Sequence, residues 1–175
     1  MCYNYKYLKI LLKGNIKMYS KFINEAVSDD MLKAINVANW KTGLDFRKDY
    51  EEIESHGKKV LEILDKLAKG GYNSKQYYNI YSDLRDELWN IHDRLLSYKN
   101  KMPWFRDELQ SPELKRYREI IKDYIYEVNQ AMKDLKSDYA VVSHISNRNL
   151  ESIIKAIIDE YERLYEIVEK IALSQ

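Results

Sequence analysis

Cysteine occurs once in the 175 residues, at Cys2, so no internal disulfide can form and no zinc site can be built on cysteine pairs. Two prolines and five glycines are too few for turn-dense β-sandwiches and barrels, and for collagen-like or low-complexity chains. Long apolar runs are missing too. Nowhere do the roughly 18 to 20 continuous apolar residues of a membrane span occur, so integral membrane insertion is not expected. Neither sign of charge dominates: 29 basic against 28 acidic residues leave a net charge of +1, which argues against a dedicated polycation. What is present is 45% apolar and 33% charged residues, a composition that folds and stays soluble rather than remaining disordered. The length suits one hydrophobic core.

Residues 1–27 read as a basic amphipathic lead. Lys6, Lys9, Lys13, Lys17 and Lys21 precede the first acid, Glu25, with Tyr3, Tyr5, Tyr7, Leu8, Ile10, Leu11 and Leu12 between them. A secretory signal needs an unbroken apolar stretch and a small-residue cleavage site; here lysine recurs every three or four residues, so export is rejected and a cytoplasmic location expected. Met18 offers a second plausible start, which removes four lysines and takes the formal charge from +1 to −3.

The remaining 28–175 read as a single all-α domain. Phe46, Tyr50, Ile53, Gly57, Val60, Leu64 and Leu67 alternate spacings of four and three, an a/d seam. The seam predicts a helix over about 45–69, stopped by Gly70 and Gly71. Asn73 with Gln76 forms a capping-box-like start for about 74–101, whose seam is Tyr77, Tyr81, Leu84, Leu88, Ile91, Leu95 and Tyr98. Ser111 followed by Pro112 starts about 112–139, with Leu114, Tyr117, Ile121, Tyr124, Val128, Ala131 and Leu135. Asn147 or Asn149 caps about 147–173, with Leu150, Ile154, Ile157, Tyr161, Leu164, Val168 and Ile171. Four helices of matched length and short links bury such seams as an antiparallel up-down-up-down four-helix bundle. A short additional N-terminal helical segment is expected from Ser28, through Met31, Ala34, Ile35 and Ala38, to an end near Trp40 to Gly43.

The sequence carries few signs of chemistry. The seams hold only apolar residues, tyrosine and one glycine, whereas a di-iron bundle needs inward glutamates and Glu-x-x-His pairs. No phosphate-binding glycine loop, Gly-x-Ser-x-Gly elbow or Cys-His pairing occurs. No metal and no cofactor is expected. The tyrosines on the seams read as core rings whose hydroxyls reach the solvent edge. Glu52, Glu54 and His56 read as a solvated face among Asp49, Glu51, Lys58 and Lys59, and His144 as a loop or cap residue.

One catalytic arrangement is conceivable. Arg85 and His92 each follow a seam residue and project from one flank of the second helix; an arginine that holds a phosphate and a histidine that moves protons suit RNA cleavage by the adjacent 2′-hydroxyl. The stretch Arg85, Asp86, Glu87, Leu88, Trp89, Asn90, Ile91, His92 resembles the Arg-x(4–6)-His signature of the HEPN ribonucleases. These are small all-helical proteins that usually act as dimers with the motifs meeting across the interface. Two residues after the histidine this chain has Arg94, where many members carry tyrosine. The bland alternative is a pair of flanking ion-pair residues beside Glu87 and Asp93.

The leading expectation is a non-enzymatic protein that acts by association with itself or with a protein partner. Large apolar residues off the seams widen the buried stripes beyond what a monomeric core needs. Trp89, Tyr126, Ile158 and Tyr165 are the interface candidates on the helices, joined by Trp104 and Phe105 of the apolar link, which plug one end of the bundle unless exposed. A third reading makes the lysines of the lead (Lys6, Lys9, Lys13, Lys17, Lys21) weak, salt-sensitive nucleic-acid contacts.

Overall fold

The structure is a computed structural model that describes residues 40–105, 107–136 and 147–173. Four long helices account for most of these: α1 (Trp40–Lys69), α2 (Ser74–Lys101), α3 (Pro112–Asp134) and α4 (Asn147–Leu173), with 3₁₀ turns at Met102–Trp104 and Asp107–Leu109 between α2 and α3. The five lysines of the lead, the short segment expected from Ser28, and His144 lie outside the described residues.

Local chemistry sets most helix ends. Gly70 and Gly71 take φ of 65° and 82°, a left-handed turn that a side chain would strain. Asn73 accepts from the Gln76 N–H at 2.9 Å while Gln76 Oε1 accepts from the Asn73 N–H at 2.9 Å, completing the expected capping box. Ser111 Oγ accepts from the Leu114 N–H at 3.3 Å, and Pro112 occupies the first turn.

Two boundaries differ from expectation. α1 begins at Trp40 and carries Gly43 inside it; one helical glycine costs only about 1 kcal/mol against alanine and breaks nothing. α3 ends at Asp134 rather than near 139, because Lys136 N–H bonds the Lys133 carbonyl and tightens the last turn. α4 covers the expected range, Asn147–Leu173, with both cap candidates, Asn147 and Asn149, inside its first turn.

Cross-helix contacts fix the directions. His56 meets Glu87 and Asp49 meets Arg94, so α1 and α2 are antiparallel. Arg85 reaches Met132 while Tyr98 bonds Ser111, and Tyr50 stacks on Tyr165 while Gly57 lies under Ile158; the pairs α2/α3 and α1/α4 are therefore antiparallel too. The result is the up-down-up-down four-helix bundle. α1 packs most fully on α4 and α2 on α3, with α3 and α4 the least closely packed of the neighbouring pairs. Ile53, Val60, Leu84, Leu88, Leu95, Leu114, Ile121, Val128, Leu150 and Leu164 form its buried axis.

Two features give this core its shape. At Gly57 an added Cβ would sit 2.7 Å from Ile158 Cδ1 and 3.3 Å from Ile154 Cγ2, so the missing side chain is what lets α1 and α4 approach. At the other feature, Phe46, Tyr98 and Phe105 pack as a ring cluster, with centroids 5.0 to 6.4 Å apart. Tyr98 and Tyr161 are fully buried, and their hydroxyls do not reach solvent: Tyr98 donates to the Leu109 carbonyl at 2.7 Å and Tyr161 to the Arg94 carbonyl at 3.2 Å. Burial pushes the Tyr98 phenol up to about 12 and the Tyr161 phenol well above its ordinary value.

Two predictions follow from this packing. Gly57→Leu is expected to lower the unfolding free energy by about 2 kcal/mol or more through overpacking, whereas in Gly57→Ala the helix-propensity gain of about 1 kcal/mol offsets much of a smaller clash; urea denaturation measures both. The buried phenols keep their protons at pH values where an unfolded chain has lost them. Their contribution to stability is therefore whole below pH 10, the ordinary tyrosine value, and is lost as pH rises through about 12. In an alkaline titration, the last tyrosinate absorbance is expected to appear together with loss of the helical circular dichroism signal. Complete ionisation with the helices intact would contradict the burial.

Candidate functional site

α2 carries both flanks that contain charged residues with specific partners. Its buried stripe (Tyr81, Leu84, Leu88, Ile91, Leu95, Tyr98) faces the core, which leaves Arg85 and His92 on the α3 side and Glu87 and Arg94 on the α1 side.

On the α3 side the two motif residues do not come together. Arg85 Nε and Nη2 donate to Asp86 Oδ1 at 3.0 and 2.9 Å, Nη2 reaches Ser82 Oγ at 3.3 Å, and Nη1 lies 4.0 Å from Met132 Sδ. His92, two turns on and about 10 Å along the axis, is only 7% exposed. Trp89 covers it edge-on, with ring centroids 5.2 Å apart. Among the described residues neither ring nitrogen of His92 makes a hydrogen bond; Asp93 Oδ1 stands 3.5 Å from Nδ1 without hydrogen-bond geometry. The expected partner Glu87 is turned to the opposite flank. Arg85 thus has an exposed local ion pair, and His92 is a buried polar ring.

On the α1 side is a ladder that sequence reasoning missed. His56 Nδ1 bonds Glu87 Oε2, and Lys59 Nζ lies 3.4 Å from Glu87 Oε1. Arg94 joins Glu52 and, at 3.4 Å, the buried Asp49, which Lys101 also approaches at 3.8 Å. The supposed solvated face of Glu52 and His56 therefore clamps α1 to α2. Glu54 alone of that trio keeps to its own helix, pairing with Lys58. Arg94, the departure from the ribonuclease pattern, is the centre of this clamp. Its signal was the repeat of opposite charges on facing flanks, legible only once the two helices were paired antiparallel.

The interface candidates divide. Phe105 is not available as an interface residue, because the link folds back and buries its ring against Phe46 and Tyr98. Ile158 lies partly buried over Gly57, so it is packed within the chain as well. Tyr165 is half-buried, stacked on Tyr50 at 5.6 Å with its hydroxyl on Glu169. The side chain of Trp104 lies outside the described residues. Trp89 and Tyr126 are exposed, at 43% and 66%. Among the described residues no group of three or more His, Cys, Asp or Glu gathers as a metal site, and no helix is long and apolar enough to cross a membrane.

A buried imidazole without a hydrogen-bond partner carries a desolvation penalty of about 1 to 3 kcal/mol. His92→Leu is therefore expected to leave stability unchanged or raise it by about 1 kcal/mol, read by urea denaturation at neutral pH. A loss of 2 kcal/mol or more, on the scale of a broken buried interaction, would mean that the ring has a partner. Comparison of the chain with known proteins finds no match: no family model, no curated protein and no solved structure is similar to it.

Proposed function

We propose that this chain works by protein–protein association, with a second copy of itself or as a subunit of a larger assembly. The observation that carries the reading is Trp89: the largest side-chain type stands 43% exposed on a bundle whose core closes without it. Leu96, seven residues later on the same stripe of α2, is also incompletely buried. Tryptophan is enriched at interface centres because it offers a large rigid apolar surface at small entropic cost. Such a residue on the surface of a helix rimmed by Asp86, Asn90 and Asp93, all exposed, has the layout of an anchor inside a polar border.

The alternative of a metal-independent ribonuclease draws no support from Arg85 and His92 as arranged. Proton transfer needs the histidine within hydrogen-bond reach of the substrate, and His92 lies beneath Trp89. The cytoplasm is the proposed compartment, on the strength of the single cysteine and the lysine-interrupted lead.

Sedimentation velocity across a wide concentration range tests the reading. Wild-type protein is expected to associate, either with itself or stoichiometrically with a partner purified from its host. Trp89→Ala is expected to weaken that association by about tenfold or more, about 1.4 kcal/mol, without changing helical content. A wild-type chain that stays monomeric and binds no host protein, or an association indifferent to Trp89→Ala, would sink it.

A further inference from the structure

We infer that the outer face of α3 is a binding surface for single-stranded nucleic acid, with Lys115, Lys122 and Lys133 on the phosphates and Tyr126 under a base. This inference is independent of the association reading: it uses the back of α3, not Trp89.

Helical geometry assembles the face. At 3.6 residues per turn, Lys115, Lys122, Tyr126 and Lys133 fall within an arc of about 40° and span about 27 Å of axis. All four are exposed, Tyr126 at 66%. They lie opposite the core stripe of Leu114, Ile121, Tyr124 and Val128.

The lysines of this face are not drawn into ion pairs. Most surface cations of α1 and α4 pair on their own helices: Arg47 with Glu51, Lys58 with Glu54, Lys69 with Asp65, Lys155 with Glu151, Lys170 with Glu166. The lysines on the back of α3 do not. The residues four away from Lys122 are Arg118 and Tyr126, and those four away from Lys133 are Asn129 and Ser137, so the helix provides no i,i+4 acid for either. Glu119, four residues from Lys115 and at the edge of the arc, is engaged by Arg118 instead, and Asp123 next to Lys122 points farther round the helix. Among the described residues Lys115, Lys122 and Lys133 form no ion pair. At the end of the helix Lys136 adds another cation, lying over the Tyr78 ring at 4.9 Å.

The chemistry of this face selects its occupant. A row of unpaired ammonium groups attracts a polyanion and gains from the counterions released. An interfacial helix on a bilayer needs aliphatic and aromatic residues on its embedded face, and this arc holds none apart from Tyr126. An acidic protein would use the lysines but give an isolated exposed ring no specific role. A single strand uses both, because unpaired bases stack on aromatic rings with little regard to sequence. In a duplex the bases are already stacked and the ring has no partner.

The test uses the full chain and fluorescence anisotropy with labelled oligouridylate, oligothymidylate and a duplex of equal length, each over a salt series. Both single strands are expected to bind better than the duplex. Tyr126→Ala is expected to weaken single-strand binding by about fivefold or more with little effect on the duplex. Lys122→Gln with Lys133→Gln is expected to weaken binding and reduce the slope of log K against log salt by about 1.4. All these side chains are exposed, and circular dichroism confirms that the variants fold. The inference is overturned if the wild type binds no oligonucleotide at low salt, or if the α3 variants bind as wild type, which would move the contact elsewhere, for instance to the lysine lead. It is also overturned if Tyr126→Ala is without effect while anionic vesicles or an acidic peptide bind with the same dependence on Lys122 and Lys133. That pattern would make the face a general polyanion surface.

Discussion

The buried hydroxyl of Tyr98 anchors the link between α2 and α3. It donates to the Leu109 carbonyl and accepts from the Ser111 N–H, both at 2.7 Å, and so fixes the link between α2 and α3 at the residue that caps α3. Its ring touches Phe46 of α1, Phe105 of the link and Tyr161 of α4. One side chain thereby ties all four helices at one end of the bundle. A buried phenol is tolerable there because both its donor and its acceptor functions are satisfied; the apolar link, which would otherwise be an exposed patch, becomes the plug of the core.

From that end the two flanks of α2 diverge in character. Toward α1, Arg94 and Glu87 carry cross-helix ion pairs that fix the alignment of the antiparallel pair, as flanking charges do in coiled coils. Toward α3, Arg85 turns to its sequence neighbour and His92 is buried without a hydrogen bond among the described residues. The charged residues that build this fold and those that resemble a catalytic motif thus sit on opposite sides of one helix. The Arg-x6-His spacing placed two residues on one stripe but carried no information on where their polar atoms point.

The surface shows a related division. Cations on α1 and α4 are largely answered within their own helices, and those on the back of α3 are not. With a net charge of only +1 on the whole chain, bulk composition hides this segregation entirely. A balanced total is compatible with a locally basic face wherever acids and bases occupy different faces of the helices, and field effects depend on that placement.

The sequence alone determined the four helices, their seams and most of their ends, because caps, left-handed glycines and heptad spacing act within a turn or two of the residue concerned. The absence of acids four residues from Lys122 and Lys133 is equally a local feature of the sequence. Tertiary structure decided what neighbours across the bundle decide. Glu87 meeting His56, Arg94 meeting Asp49 and Ile158 covering Gly57 depend on the axial alignment of antiparallel helices, which no local window encodes. The loss of Phe105 and Ile158 as interface candidates has the same origin: an apolar side chain off the seam reads alike whether solvent, a partner or another helix covers it, and only packing distinguishes the three.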